Sequence, residues 1–401
     1  MRLLYLVHQF FPKHYTGTER FTLDLARQMQ RMGHFPTVVT YDCDAERDGF
    51  ETLSGDVLAR RYSYGTIPVV ALKRVTPLNV SDIFQPALEK AFGKLELRYD
   101  LVHVCHPMWL SSIARISKNA GLPVVMTLTD CWLLCPRALL DGAYRLCSGP
   151  EGGNKCISQC GFGVEMKSRY GDAKELFDMA DEVAAASRFL STLFKRNGWN
   201  RTIQLVPHSI DYANVRRIGT PESGKVTFCF IGSVAPHKGV HVLIQALRKV
   251  PHRNIRLKIY GSDYGQGDYF KALLALAQGD DRIQFLDPFN IEMLPEIMRD
   301  ISVMVIPSTY YENYPLVMLI ALAYKVPPVV SRIGGMLEII KQGYNGFVFD
   351  VGDAEDLASI IAQIAGEPEI LETLRKNIVT PRRTEEESLD YENIYMRLAS
   401  R

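Results

Sequence analysis

Lys238 lies in Phe230-Ile231-Gly232-Ser233-Val234-Ala235-Pro236-His237-Lys238-Gly239, between an apolar run and the amphipathic stretch Val240–Val250. A cation just before a helix start faces the same anion as the unpaired N–H groups of the first turn, which suits a diphosphate. The GxxxxGK[ST] spacing of a P-loop is absent. A solvated lysine is the alternative. A second loop, Pro307-Ser308-Thr309-Tyr310-Tyr311-Glu312-Asn313-Tyr314-Pro315-Leu316-Val317-Met318, sets a carboxylate beside a helix start. Asn313 or Tyr314 is expected to precede the helix, with Pro315 in its first turn. Glu312 would then grip sugar hydroxyls while the N–H groups near Leu316 and Val317 hold phosphate; otherwise it is a favourable helix-start charge.

Two features of the first half carry similar chemistry. Thr16-Gly17-Thr18-Glu19 opens the helical stretch Glu19–Arg31. Glycine lets the backbone approach a ligand, and a helix start presents free N–H groups. The other reading is a capped helix start, with Thr16 or Thr18 as cap and Glu19 in the first turn. His106 follows Asp100-Leu101-Val102-His103-Val104-Cys105, where a parallel strand ends. A histidine there can bond a sugar hydroxyl or move a proton near neutral pH. His103, inside the strand, fits a structural role.

Five of the eight cysteines fall between residues 131 and 160. Cys135, Cys147, Cys156 and Cys160 form C-x11-C-x8-C-x3-C in a Gly-rich segment of about 130–163, too long for an ordinary βα connection. A tetrahedral thiolate site for structural zinc is the leading reading. Disulfides and an iron–sulfur cluster are the alternatives. Asp130, at a strand end, either reaches an acceptor or caps its own loop.

These residues need elements to hold them. Apolar runs at Leu3–His8, Thr37–Tyr41, Leu101–Cys105, Val124–Leu128, Glu182–Ala186 and Thr202–Val206 alternate with helical segments. A second series follows at Val226–Ile231, Ile255–Tyr260, Ile283–Leu286, Ser302–Ile306, Pro328–Ser331 and Gly346–Phe349. Continuous apolar strands separated by helices indicate α/β domains with parallel sheets covered on both faces. The polar junction Asp211–Gly224 divides residues 1–210 from 211–380. Residues 381–401 form a helix whose Leu389, Tyr391, Ile394, Tyr395 and Leu398 make one apolar face, suited to packing back on the first domain. Two doubly wound domains facing a cleft would bind ligands at the carboxyl ends of their strands.

Composition excludes several classes. Of 401 residues, 47% are hydrophobic and 23% charged, which is ordinary globular usage and not that of a disordered tail, collagen or a coiled coil. Lys plus Arg number 46 and Asp plus Glu 45, so no basic excess supports broad nucleic-acid binding. The longest apolar stretch near the C-terminal half, Leu316–Ala323, is far shorter than a membrane span of about 20 residues. Met1–Val7 reads as a buried first strand, because His8, Gln9 and Pro12 stand where a cleavage site belongs. The expectation is a cytoplasmic protein, with peripheral contact at the inner face of a membrane left open.

In order and spacing these motifs resemble the retaining GT-B glycosyltransferases of family four, glycosyl transferases group 1. The resemblance rests on Gly17-Thr18-Glu19, Val206-Pro207-His208-Ser209-Ile210-Asp211, Gly232 through Lys238-Gly239, and Pro307-Ser308 to Glu312-Asn313-Tyr314-Pro315. Ser331-Arg332-Ile333-Gly334-Gly335 with Glu338, then Asn345-Gly346 and Gly352-Asp353, complete it. It implies two Rossmann-like domains around a central cleft, a UDP- or GDP-sugar held mainly by the second, and a glycan, glycolipid or small-molecule acceptor held mainly by the first. Lys238 would neutralise the diphosphate, Glu312 would contact the donor sugar, and His106 would touch the sugar near the reacting centre. Gly17, Gly232, Ser233, Asn313, Tyr314, Pro315, Leu316 and Val317 would line the donor side, and Thr18, Glu19 and Asp130 the acceptor side. Transfer would retain the anomeric configuration and need no metal for catalysis. Some members resemble this chain in carrying an insertion after Asp130-Cys131-Trp132-Leu133-Leu134-Cys135-Pro136.

Two positions depart from the pattern. The family often has a second glutamate eight positions after the first, where this chain has Ile320. That carboxylate normally binds ribose hydroxyls, and losing a charged hydrogen-bond partner is worth about 1.5–3 kcal/mol. Ser233 replaces the usual arginine. The rival readings are an inactive nucleotide- or sugar-binding relative and a GT-B epimerase or phosphorylase.

Overall fold

The computed structural model describes residues 1–44, 48–76, 78–79, 81–139, 145–211, 225–263, 265, 267–289 and 291–400. The chain divides into two compact units. The first comprises Met1–Ala143, Cys147–His208 and Arg383–Arg401, and the second Ser209–Arg382 with Tyr144–Leu146. Most of the junction anticipated at Asp211–Gly224, residues 212–224, lies outside the described residues.

The first unit is built on a nine-stranded sheet: β1 (Arg2–Val7), β2 (Phe35–Tyr41), β3 (Glu51–Ser54), β4 (Val57–Tyr64), β5 (Ile67–Arg74), β6 (Leu101–Val104), β7 (Val124–Leu128), β8 (Glu182–Ala185) and β9 (Gln204–Leu205). Their spatial order is β3-β4-β5-β2-β1-β6-β7-β8-β9. The central strand β1 carries Leu-Leu-Tyr-Leu-Val, buried on both faces, as a parallel strand covered by helices requires. Six of the nine strands follow the apolar runs. β3, β4 and β5 form an antiparallel meander on one edge that those runs do not show. Their pattern is that of a half-exposed edge: in β4, Arg61 and Ser63 are exposed while Val57 and Leu58 are buried. Gly55 and Gly65, both at φ of 59°, make the two turns.

The helix Thr384–Ala399 belongs to the first unit. Tyr391, Ile394, Tyr395 and Leu398 join the core around Leu3, Tyr5 and Val7. Leu389, expected on the same face, is instead exposed, because the chain presents a narrower apolar stripe than the residue types suggest. A buried polar chain fixes the helix. The Tyr5 and Tyr395 hydroxyls are 3.4 Å apart, and His103 Nδ1 lies 2.5 Å from Tyr395 Oη. His103 Nε2 is 2.7 Å from Thr127 Oγ1, which is 2.8 Å from Tyr391 Oη. Burial lowers the His103 pKa to about 3, so it is neutral and structural.

The second unit has six parallel strands: β10 (Val226–Ile231), β11 (Ile255–Tyr260), β12 (Ile283–Leu286), β13 (Val303–Ile306), β14 (Pro328–Ser331) and β15 (Phe347–Phe349). Their order, β12-β11-β10-β13-β14-β15, reverses direction between β10 and β13. In such sheets a ligand crevice opens at the carboxyl ends of the strands flanking that reversal. The Lys238 loop follows β10 and the Glu312 loop follows β13. In the first unit the equivalent reversal falls between β1 and β6, and His106 follows β6. No helix of the described residues is long and apolar enough to cross a membrane.

Candidate functional site

Two polar clusters form, one in each unit. In the second, a short turn Pro236–Lys238 leads into the helix Val240–Lys249. Gly239 has φ of 72°, and a Cβ there would sit 1.8 Å from the Pro307 carbonyl oxygen, so only glycine lets the two loops touch. The Thr309 N–H donates to His237 O at 2.8 Å and locks them together. Across this seam Lys238 Nζ donates to Tyr310 Oη at 2.7 Å and to Glu312 Oε1 at 2.9 Å. The ammonium also lies 4.7 Å from the centre of the Tyr310 ring, within cation–π range. Ser308 Oγ donates to Glu312 Oε1 at 2.7 Å, and Tyr310 Oη donates to Oε2 at 3.1 Å.

Burial opposes both charges, yet each stabilises the other. Desolvation would lower the Lys238 pKa, but Glu312 and Tyr310 carry it above its ordinary value. Desolvation would raise Glu312, but Lys238, Ser308 and Tyr310 bring it below the usual carboxylate value. Tyr310 is raised by burial and by Glu312, so it remains a phenol. His237 is lowered to about 4, by burial first and Lys238 second, and is neutral. The ion pair is therefore formed at neutral pH, with one cation, one carboxylate and one neutral hydroxyl.

The backbone after Glu312 is held as tightly. Gly335 N donates to Glu312 O at 2.9 Å. A Cβ on Gly334, at φ of 70°, would meet that oxygen at 2.0 Å. Asn313 is buried. Pro315 is the N-cap residue, and the helix runs Leu316–Ala323. This corrects the expected helix start by one residue: the extended backbone of Pro315, with ψ of 125°, stops it from being the first helical residue. Tyr314, Leu316 and Val317 pack against the apolar cluster, so Leu316 and Val317 offer backbone N–H groups, not side chains. Gly232 and Ser233 are half-buried in the loop after β10. Ile320 packs against the same apolar cluster. Arg332 is tied to Asp350 at 2.7 Å on the surface.

The first unit gathers His8, Glu19, His106 and Asp130. His106 is buried; its Nδ1 accepts the Met108 N–H at 3.3 Å, which leaves the proton on Nε2, 3.2 Å from Asp130 Oδ2. Asp130 also accepts the Trp132 N–H at 2.8 Å. Desolvation would raise the Asp130 pKa, but His106 and this N–H keep it below the ordinary value. The His8 and His106 rings are 4.1 Å apart. Burial, then His106, hold the His8 pKa well below 6.5, so His8 is neutral. Glu19 is buried 3.5 Å from His8 Nε2 and accepts the Thr16 hydroxyl at 2.6 Å. Thr16 thus serves Glu19 rather than capping a backbone N–H, and the helix begins at the exposed Gly17.

Sequence reasoning misses His8 and the hydroxyl of Tyr310. For His8 the signal is its place at the end of β1; for Tyr310, its position two residues from Glu312.

The structure lends no support to the zinc reading of Cys135, Cys147, Cys156 and Cys160. Among the described residues no group of three or more His, Cys, Asp or Glu is arranged to hold a metal ion. Cys147 Sγ donates to Gly149 O at 3.4 Å, and the Cys156 thiol donates to Cys135. Cys135 also accepts the Arg137 N–H at 3.4 Å. None of the eight cysteines is in a disulfide. The described part of the segment is held by Arg169, whose guanidinium donates to the Leu133 carbonyl at 3.0 Å and the Trp132 carbonyl at 2.5 Å.

Comparison with known proteins gives the chain a family. The Glycosyltransferase Family 4 profile matches residues 15–214, and the Glycosyl transferases group 1 profile matches residues 211–379. The chain belongs to the group 1, family 4 glycosyltransferases. Among curated relatives of this glycosyltransferase chain, the D-inositol 3-phosphate glycosyltransferase of Corynebacterium efficiens is 33% identical over 38% of each chain. That of Arthrobacter sp. is 27% identical over 68% of this chain and 63% of its own. The chain spans between 38% and 63% of the length of the first relatives it matches. Among solved structures, Anabaena HepE in complex with UDP and glucose aligns over 99% of this chain and 100% of its own, with a TM-score of 0.73 and 19% identity. Sucrose-phosphate synthase of Thermosynechococcus elongatus aligns over 100% and 99%, with a TM-score of 0.75 and 17% identity. At these identities the likeness is one of GT-B fold.

Proposed function

We propose that the chain transfers a sugar, with retention of anomeric configuration, from a UDP- or GDP-sugar to a carbohydrate or lipid-linked acceptor. The observation that carries this reading is the Lys238–Tyr310–Glu312 cluster beside a helix N-terminus, at the strand-order reversal of a parallel sheet matched by the group 1 profile. Cleavage of a glycosyl diphosphate bond develops negative charge on the leaving diphosphate. Preorganised positive charge and N–H dipoles stabilise that charge without reorganising. Lys238 and the first N–H groups of the Leu316–Ala323 helix supply them. Glu312, fixed by three donors, receives donor-sugar hydroxyls through its remaining lone-pair directions. In the first unit, the Nε2 proton of His106 and the carboxylate of Asp130 offer a donor and an acceptor to sugar hydroxyls. UDP is the first donor to try, because HepE is described with UDP and glucose.

The test is a panel of UDP- and GDP-sugars, read by nucleoside diphosphate release and by the anomeric configuration of the product. Release with a retained anomer is expected; failure of every nucleotide sugar to bind would overturn the reading. A second reading, a nucleotide- or sugar-binding relative with little turnover, is favoured by Ile320 in its apolar setting and by Arg332 being paired with Asp350. Binding without release across the panel would select it.

A further inference from the structure

The proposed function gives Tyr310 no part of its own, yet among the described residues its hydroxyl is the one group bonded to both charges of the cluster. A lysine ammonium has three N–H donors. For Lys238, one goes to Tyr310 Oη at 2.7 Å and one to Glu312 Oε1 at 2.9 Å. Among the described residues no partner meets the third. Glu312 takes Lys238 and Ser308 on Oε1 and Tyr310 on Oε2. The phenol therefore accepts from the cation and donates to the carboxylate, closing a ring of charge-assisted bonds whose net charge is zero.

Such a ring solves a problem that any anionic ligand poses. A diphosphate approaching Lys238 also approaches Glu312, and a bare carboxylate would repel it. With both carboxylate oxygens engaged, the repulsion is reduced and the ammonium cannot swing wholly onto Glu312. We propose that Tyr310 is a positioning residue of the donor site, holding Glu312 through Oε2 and Lys238 through its lone pair so that the third ammonium N–H stays free for a diphosphate oxygen. The inference rests on the donor-site reading above. Phenylalanine would fill the same space and keep the ring beneath the ammonium, but would leave Oε2 without this donor and Lys238 with a second vacant N–H.

The titration of Glu312 reports the arrangement. The groups facing it are Lys238 and His237 from the turn after β10, Ser308 and Tyr310 from its own loop, and the Gly335 N–H on its backbone oxygen. Tyr310 is one of the groups that lower its pKa. Removing that hydroxyl makes Glu312 protonate at higher pH.

The experiment compares wild type with Tyr310→Phe in nucleotide-sugar turnover across pH. The expected result is a fall in kcat/KM of about ten- to a hundredfold, the worth of one charge-assisted hydrogen bond. The acid limb of the profile should also move to higher pH, with the melting temperature little changed. Wild-type turnover with an acid limb that stays in place sinks the inference. Should Tyr310→Phe fail to fold, Tyr310→Trp, which keeps a ring and lacks the hydroxyl, serves in its place. If wild type releases no nucleoside diphosphate from any UDP- or GDP-sugar, the donor-site reading fails separately. The carboxyl resonance of Glu312 in carbon-13-labelled wild type and variant then decides, with a higher pKa in the variant expected and equal values overturning the proposal.

Discussion

Replacing Lys238 by methionine separates what its charge does for folding from what it does for chemistry. The Lys238 and Glu312 side chains are 24% and 7% exposed, so solvent screens the pair only weakly. Removing one partner of a buried pair typically costs about 3–5 kcal/mol, because the other charge remains uncompensated. Glu312 keeps its bonds from Ser308 and Tyr310. The expected loss for Lys238→Met is therefore at the lower end, about 3 kcal/mol in urea unfolding. The double variant Lys238→Met with Glu312→Gln leaves no buried charge and is expected to recover all but about 1 kcal/mol of it. Turnover should behave differently. A lost preorganised stabiliser of transition-state charge costs about a hundred- to a thousandfold in kcat, and the neutral double variant should not recover it. Urea titration and nucleoside diphosphate release on the same preparations read the two effects. Recovery of turnover in the double variant would show that Lys238 matters only as the partner of Glu312, and the diphosphate assignment would be wrong.

Other expectations follow from the same geometry. Gly239→Ala places a Cβ 1.8 Å from the Pro307 oxygen at a φ of 72°, so it should cost more than about 1 kcal/mol in urea and weaken nucleotide binding by separating Lys238 from Glu312. His103→Gln tests linkage. A histidine whose pKa is about 3 when folded and 6.5 when unfolded contributes stability that is complete above pH 6.5 and lost as pH falls towards 3. The variant should therefore lose about 1.4 kcal/mol less than wild type per pH unit between pH 6 and 4, measured by urea unfolding. Glu312, with its lowered pKa, adds stability that is complete above about 4.5 and lost at lower pH, so Glu312→Gln should flatten the unfolding curve there. Ile320→Glu is expected to tighten nucleoside diphosphate binding by about ten- to a hundredfold in calorimetry; weaker binding by a folded variant would place the ribose elsewhere.

Much of the scaffold is legible in the amino-acid order. Parallel strands buried on both faces must be largely continuous apolar runs, and β1, β6, β7, β10 and β13 are such runs. The β3–β5 meander escapes that pattern because an edge strand with one solvated face carries arginine, serine and tyrosine as readily as valine. The types and loops of Lys238, Glu312, His106 and Asp130 can be read from their positions after those strands. Sequence spacing cannot show that Lys238 and Glu312, 74 residues apart, bond to each other. That pairing depends on a glycine that lets two loops meet and on the strand order that brings β10 beside β13. For the cysteines, a spacing compatible with tetrahedral ligation does not by itself set where each sulfur points: Cys147 donates to a backbone carbonyl, and Cys135 accepts a backbone N–H and the Cys156 thiol. Residue type and order thus determined which elements form and which loops carry charge. The third dimension decided which charges neutralise one another, because that depends on distances of about 3 Å that only packed loops can impose.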